Sequence, residues 1–113
     1  MLDIISEAIR KQNTISFSYG GQRRIVEPHH LGVFGINEQI HGYQTNSGFS
    51  NPGWKNFIVS HIQDISVNSS TFTPQSNYNP IGSRYSSIYI SVLDPIINDP
   101  DDPNDPNGSG FQP

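Results

Sequence analysis

The chain has 113 residues, which is enough for one domain and short for two. It contains no cysteine, which excludes a disulfide framework, a thiolate nucleophile and a cysteine-ligated metal. Hydrophobic residues make up 33% and charged residues 14% of the chain, beside ten glycines and nine prolines. This composition is typical of short strands and turns rather than of a helical bundle.

The net charge of −4 is unevenly distributed along the chain. Five acidic residues and no basic residue lie from Asp94 onward, so the first 93 residues carry five acidic against six basic residues, a charge of +1. The overall acidity therefore does not exclude a nucleic-acid partner. The sequence has no apolar stretch of the roughly 18 residues that cross a membrane, and it begins without the pattern of a secretory signal. We expect a cytoplasmic protein that makes no membrane contact.

A helix followed by a β-hairpin is predicted at the start of the chain. The first twelve residues indicate a short amphipathic helix, because Leu2, Ile5 and Ile9 recur at helical spacing. Residues 14–19 then alternate between polar and large apolar side chains, which predicts a half-buried strand. The following Gly-Gly pair suits a tight hairpin turn.

The return strand of this hairpin is predicted at about residues 23–31. It would place Val26 on one face and Ile25 and Leu31 on the other, by simple alternation. Pro28 has no N–H to donate to a neighbouring strand, so this strand lies at an edge of the sheet or carries a bulge at the proline.

Further strands are predicted at about 39–45, 54–59 and 62–68, separated by turn-rich connections. Together these elements predict a mainly β protein, a small open barrel of the SH3 or Sm type with about five strands and a short N-terminal helix. Residues 85–92 alternate again and predict either a sixth strand at the barrel edge or a short extension.

The motifs of the first 72 residues resemble those of the WYL domain, a bacterial ligand-sensing module usually found in transcriptional regulators. The resemblance rests on the helix Ile5-Ser6-Glu7-Ala8-Ile9, the strand Ile15-Ser16-Phe17-Ser18-Tyr19-Gly20-Gly21, the run Arg24-Ile25-Val26-Glu27-Pro28-His29-His30-Leu31-Gly32, then Ile40-His41-Gly42-Tyr43, Trp54-Lys55-Asn56-Phe57-Ile58-Val59-Ser60-His61-Ile62, Ile65 and Phe72. The resemblance implies a helix and barrel at 1–72, and the pattern of the remaining residues adds an extension with a sixth strand in question at 73–97 and a tail at 98–113. The tail is acidic and rich in Asp-Pro, and its low hydrophobicity predicts disorder.

The resemblance also implies that basic residues on the barrel hold a nucleotide or an oligonucleotide. Where the family has two arginines in an Arg-x-Phe-x-Leu-x-Arg-Ile segment, this chain has Lys55 and His61. Lysine keeps the charge but not the bidentate fork of arginine, and histidine is only partly charged near neutral pH. The resemblance therefore implies a weakened anion site.

The residues from Lys55 to His61 are interpreted as one extended strand. Lys55, Phe57, Val59 and His61 would share a face, with the two polar ends roughly 20 Å apart at about 3.3 Å per residue. Such a face is either a barrel wall with solvated rims or a groove that holds phosphates.

Arg24 and Arg23 are further candidate ligand contacts. Since one of the two is expected to be an ordinary solvated charge, Arg24 is the stronger candidate. Tyr43 and Trp54 are aromatic candidates for stacking on a base, although alternating aromatic residues in a small barrel more often belong to the core. Phe17 and Tyr19 are assigned to that core.

The four histidines, His29, His30, His41 and His61, invite a metal interpretation that the spacing does not favour. Adjacent strand residues point to opposite faces, and no carboxylate stands at ligand spacing from the histidines. No nucleophile is paired with a base either. We therefore expect no metal, no cofactor and no enzymatic activity.

Two functions remain at this point. The first is a WYL-like sensor or accessory domain that weakly binds a nucleotide, an oligonucleotide such as single-stranded nucleic acid, or another anionic ligand, and regulates a partner in transcription or defence. The alternative is a protein-interaction module that uses an open barrel edge, near Pro28 or the strand from Ile88 to Val92, to pair with a partner protein or a second copy.

Overall fold

The computed structural model describes residues 1–48 and 51–94, and within them it contains one α-helix and six strands. The predicted tail at 98–113 lies outside the described residues. In chain order the elements are α1 (Leu2–Lys11), β1 (Asn13–Tyr19), β2 (Gln22–Phe34), β3 (Asn37–Gln44), β4 (Gly53–Ile58), β5 (Gln63–Thr71) and β6 (Ser87–Ser91).

The strands form one antiparallel sheet in the order β4-β3-β2-β1-β5, with β6 beside β2. β2 is long enough to pair on the same side with β1 in its first half and with β6 in its second half. The mainly β class, with an open sheet and a short N-terminal helix, is confirmed. The sheet has six strands rather than about five, because the alternating residues near 85–92 do form a strand.

Helix α1 packs on one face of the sheet, here called the inner face, and completes the core. It ends at Gln12, which adopts a left-handed conformation with φ 57° and donates its backbone N–H to the carbonyls of Ala8 and Ile9. The buried apolar side chains come from the helix and from strands and connections around it: Ile5, Ala8, Ile9, Ile15, Phe17, Val26, Leu31, Ile40, Phe57, Val59, Ile62, Phe72 and Val92.

A β-bulge in β2 corrects the alternation predicted for this strand. The pairing of β2 with β3 shifts by one residue between Pro28 and His30, so Val26 and Leu31 both reach the core although they are an odd number of residues apart. Pro28 lies after the last β2 residue paired with β1, where its missing N–H costs no hydrogen bond. The bulge also leaves His29 and His30 both fully buried, with both rings against Tyr78, so the expectation that they point to opposite faces is wrong.

The strand predicted to run through His61 ends at Ile58, which corrects the proposed extended face. Residues Val59–His61 form a 3-10 turn, closed by a hydrogen bond from the Ile62 N–H to the Val59 carbonyl at 3.1 Å. The chain must turn at this point to enter β5, and Val59 packs into the core from the turn. Lys55 and Phe57 therefore share a strand face, whereas Val59 and His61 do not continue it.

Within the described residues, no helix is long and apolar enough to cross a membrane.

Candidate functional site

The sequence-predicted site residues fall into two groups on opposite faces of the sheet. One group lies at the end of the inner face where the β1–β2 hairpin turns; we call it the rim cluster. It consists of Tyr19, Arg24, Lys55, Phe57 and His61.

Arg24 is the centre of the rim cluster. It faces the core side of β2, opposite Phe17 of β1, and its guanidinium lies 5.6 Å from the ring centre of Tyr19 and 5.8 Å from that of Phe57. Its Nη1 donates to Gln44 Oε1 at 2.9 Å, and its Nη2 donates to the Tyr19 carbonyl at 3.2 Å. The charge is thus held in one place by two aromatic faces and by hydrogen bonds to Gln44 and to the Tyr19 carbonyl.

Lys55 and His61 reach the same rim by different routes. Lys55 pairs with Gly42 in the sheet and, two residues before Phe57 on β4, belongs to the inner face. The 3-10 turn folds His61 back, so that its exposed ring lies 6.2 Å from the ring of Tyr19. The turn that broke the predicted strand face is therefore the element that brings His61 to the cluster.

Tyr19 fixes the position of the turn relative to the rim. Its hydroxyl accepts the backbone N–H of Ile58 at 2.9 Å, and its ring packs edge-on against Phe57 with 5.0 Å between centres. The assignment of Phe17 to the core holds, as Phe17 is fully buried, while Tyr19 is half-buried and joins the core to the rim.

Arg23 does not join the rim cluster. Its Nη1 donates to the Asp64 carbonyl at 2.7 Å and to Ser18 Oγ at 3.3 Å, on the outer face of the hairpin. The two neighbouring arginines are thus directed to opposite faces, as strand alternation requires.

Tyr43 and Trp54 form a cross-strand pair on the outer face of β3 and β4, away from the rim. Their rings meet edge to face with 5.6 Å between centres. Trp54 belongs to a larger group of rings that we call the aromatic cluster, made of His29, His30, His41, Trp54, Tyr78 and Tyr85.

The centre of the aromatic cluster is a stack of three rings, Trp54, His41 and His30. His41 lies between Trp54 and His30, with ring centres 4.8 Å and 4.7 Å away and rings nearly parallel to both. His41 Nδ1 donates to Asn56 Oδ1 at 2.9 Å, and the Tyr85 hydroxyl donates to the same oxygen at 2.7 Å. His41 is therefore fixed both by stacking on two rings and by a hydrogen bond.

The hydrogen bonds of His29 identify its neutral tautomer. The Gln75 backbone N–H donates to its Nε2 at 3.0 Å, so the proton is on Nδ1, which donates to the Glu27 carbonyl at 2.9 Å. Burial lowers the pKa of His29 to about 4, although the hydrogen bond to the Glu27 carbonyl acts to raise it.

His30 is also neutral and lies in a hydrogen-bonded chain. Burial, and then the neighbouring His41 and His29, lower its pKa to about 3. Its Nδ1 is 2.6 Å from the Tyr78 hydroxyl, which is 3.0 Å from Ser91 Oγ on β6. Burial also lowers the pKa of His41 and raises those of the Tyr78 and Tyr85 hydroxyls, so the cluster carries no charge at neutral pH.

The sequence did not reveal this cluster, because two of its six rings, Tyr78 and Tyr85, are supplied by the segment between β5 and β6, which is interpreted from its sequence as an extension. The sequence does contain an indication of it, because tyrosines occur at 78, 85 and 89 in an otherwise polar segment. Aromatic rings in such a segment pack on an apolar surface elsewhere in the protein. Within residues 1–48 and 51–94, no three His, Asp or Glu side chains form a group suited to a metal ion.

Comparison with known proteins shows a likeness of fold. No protein-family model matches the chain, and no curated protein sequence matches it. Its fold is similar to part of the solved structure of proteasome accessory factor B/C (PafBC) of Arthrobacter aurescens, with a TM-score of 0.61 and 23% sequence identity. The match covers 73% of this chain and 14% of PafBC, so what the two proteins share is the fold of one domain.

Proposed function

We propose that the chain is a WYL-like, non-enzymatic sensor or accessory domain, which binds a nucleotide or a short single strand of nucleic acid at the rim cluster and regulates a partner protein. The observation that carries the proposal is that Arg24 and His61 both lie beside the half-buried ring of Tyr19, while Lys55 is on the same face of β4 as Phe57, which packs against that ring. Cationic groups beside an aromatic ring are the elements with which proteins bind single-stranded nucleic acid.

The distribution of basic residues supports the choice of this end of the molecule. Arg10 and Lys11 are paired with Glu7 on the helix, at 2.7 Å and 3.0 Å. Arg23, Arg24 and Lys55, half of the six basic residues, lie on the hairpin and on β4 near it. These basic residues attract a polyanion to the hairpin, with weak affinity because the contacts are few.

The likeness to PafBC supports an accessory role. PafBC is named as an accessory factor of the proteasome, and the matching region is about a seventh of it. A domain of this fold therefore occurs as one part of a larger protein, which suits a sensor that acts on a partner in transcription or defence.

The test is the salt-dependent binding of a fluorescently labelled single-stranded 12-mer, measured by anisotropy between about 50 and 200 mM salt. We expect a micromolar Kd and, in Lys55→Gln, about fivefold weaker binding with a salt slope smaller by about 0.7, the value for one lost phosphate contact on a single strand. Lys11→Gln is the matched control, because it removes a lysine that already pairs with Glu7.

A variant that lacks both rim cations makes the test decisive. Arg24→Met combined with Lys55→Gln should reduce the affinity at least tenfold, with circular dichroism confirming that the domain is folded. Binding as tight as that of the parent in this folded variant would overturn the proposal.

A second candidate function, pairing through an open edge, is favoured by β6. Its ladder with β2 leaves the opposite edge without a partner strand in the part of the chain that the structure describes, and Ile88 and Tyr89 on it are 37% and 49% exposed. The edge beside Pro28 is a poorer candidate, since the Val92 N–H donates to the His29 carbonyl there. Light scattering across a hundredfold concentration range tests self-association, and a strict monomer would count against it.

A further inference from the structure

A small cavity opens beside the aromatic cluster on the outer face, on the other side of the sheet from the rim. Its volume is about 210 Å³, and its lining consists of His41, Trp54, Asn77, Asn79, Gly82 and Ser83. Sites for drug-sized ligands usually measure about 300 Å³ or more, so this cavity suits a single small ring system.

The lining carries no formal charge. None of its residues is acidic or basic apart from His41, which burial keeps neutral. A phosphate or a carboxylate would find no counter-charge here, which distinguishes the cavity from the rim cluster.

The polar atoms of the lining are arranged to recognise the edge of a ligand. Trp54 Nε1 donates to Asn77 Oδ1 at 3.3 Å, and the Gly82 N–H donates to Asn79 Oδ1 at 3.0 Å. Each side-chain oxygen is thereby engaged, which fixes the amide and leaves its NH2 group as a donor. His41 donates from Nδ1 to Asn56, so its Nε2 is an acceptor.

The stacking surface of the cavity is preorganised. Trp54 and His41 are stacked with nearly parallel planes, at 9°, and His30 stacks on His41, so the rings are held in fixed positions. Rigid aromatic groups bind a planar ligand with little loss of conformational entropy.

We propose that this cavity binds an uncharged planar heteroaromatic ring, such as a nucleobase, which packs against Trp54 and hydrogen-bonds to the amides of Asn77 and Asn79. Flat shape, absence of charge and hydrogen-bonding edges are the three properties that the lining selects. This site does not depend on the rim cluster, and either one can be absent without the other.

Trp54 is the only tryptophan of the chain, so its fluorescence reports directly on the cavity. We expect saturable quenching of the full-length protein by the free nucleosides adenosine, guanosine, cytidine or uridine, with a Kd of about 1 mM for the best of them, as suits one stacked base with a few hydrogen bonds. Absence of saturable quenching by all four nucleosides up to about ten times that concentration would overturn the proposal.

Two variants test the amide contacts. Asn79→Ala and Asn77→Ala should each weaken nucleoside binding about fivefold, the effect of one lost hydrogen bond. Asn37→Ala is the matched control, since Asn37 lies at the start of β3 and does not line this cavity. Because Asn77 also touches the reporter ring, isothermal calorimetry repeats the Asn77→Ala measurement without fluorescence. Unchanged affinity in both variants would overturn the assignment of these amides.

The choice of probes separates this site from the rim and identifies the ligand class. Benzyl alcohol, a ring without hydrogen-bonding edges, should quench at least tenfold more weakly than the best nucleoside, and equal quenching would contradict a heteroaromatic site. Lys55→Gln should bind the nucleoside as the parent does while binding the 12-mer more weakly. A free base and a base within a strand are then distinguished by whether Asn79→Ala also weakens binding of the 12-mer.

Discussion

The rim cluster and the aromatic cluster occupy opposite faces of the same two strands and have opposite chemistry. On the inner side of β4, Lys55 shares a face with Phe57, and the charge of Arg24 is held beside Tyr19. On the outer side, Trp54 leads into a set of buried rings whose histidines are neutral. Strand alternation alone therefore separates a charged surface from an uncharged one over a single residue step.

The two clusters also differ in how protonation of their histidines affects the stability of the fold. Burying His29 and His30 without charge makes folding compete with protonation, whereas the exposed His61 at the rim loses little hydration. The aromatic cluster should thus be the acid-sensitive half of the molecule, and the rim the salt-sensitive half.

The largest expected effect is acid destabilisation through the aromatic cluster. The pKa values of His29 and His30, about 4 and about 3, are lower than in the unfolded chain, where histidine titrates near 6.5, so the unfolded state binds more protons. Stability is therefore complete above pH 6.5 and is lost as the pH falls toward 4 and 3. Urea unfolding should show a loss of roughly 4 kcal/mol for the pair between pH 7 and pH 4.5.

The contribution of one histidine can be isolated. His30→Gln keeps a hydrogen-bonding group beside Tyr78 but does not titrate, so about half of the pH dependence should disappear. His61→Gln removes a histidine without removing a buried one and serves as the control. An unchanged pH dependence in His30→Gln would show that the aromatic cluster is not the acid-sensitive element.

A smaller but still large effect is expected where β6 closes over β2. A Cβ on Gly32 would fall on the Ser87 carbonyl oxygen and 2.9 Å from the Ile88 Cα, so Gly32→Ala must displace β6. Displacing β6 also displaces Ser91, whose hydroxyl is hydrogen-bonded to that of Tyr78. We expect the free energy of unfolding, measured in urea, to fall by about 3 kcal/mol. The rim cluster is remote from this contact, so affinity for the 12-mer should be unchanged.

The control for Gly32→Ala is Gly35→Asn. Gly35 has φ 65° in an open turn, a conformation that asparagine adopts more readily than other side chains, and a Cβ there meets no atom within 4 Å. If Gly32→Ala reduced the binding free energy of the 12-mer by as much as it reduces the free energy of unfolding, the two clusters would be coupled rather than separate.

The part of this organisation that sequence patterns predict is the part with regular periodicity. The amphipathic spacing of Leu2, Ile5 and Ile9 predicts α1, and the alternation through Tyr19 predicts β1, because each period matches one buried face. The assignment of Arg24 to the inner face follows from the same alternation.

The remaining features depend on local irregularities that periodicity does not encode. Pro28 permits either an edge or a bulge, and only the pairing of β2 with three other strands decides for the bulge that buries His29 and His30 together. The turn at Val59–His61 is set by the need to connect β4 with β5, which is a property of the whole sheet. The aromatic cluster depends on where the segment before β6 docks, a long-range contact.

An intermediate effect is expected from Arg24, whose role joins structure to binding. Arg24→Lys keeps the charge but loses the fork that reaches Gln44 and the Tyr19 carbonyl, so we expect a loss of about 2 kcal/mol in stability. Affinity for the 12-mer should fall less than threefold, since charge supplies most of that interaction. A folded Arg24→Lys variant that is as stable as the parent would show that the fork does not anchor the rim.

The smallest effect is expected from Arg23, which is adjacent to Arg24 in sequence but lies on the other face. Its contacts are exposed hydrogen bonds to the Asp64 carbonyl and Ser18, so Arg23→Ala should change the free energy of unfolding by about 1 kcal/mol or less. Its guanidinium is directed away from Tyr19, so the salt slope for the 12-mer should change by less than that of Lys55→Gln. The two arginines carry the same charge. Equal losses of affinity in Arg23→Ala and Arg24→Ala would therefore mean that the ligand responds only to the overall positive charge of the strand and not to the position of either guanidinium. A larger loss of affinity in Arg24→Ala than in Arg23→Ala would mean that the ligand lies on the inner face, where the ring of Tyr19 fixes the Arg24 guanidinium.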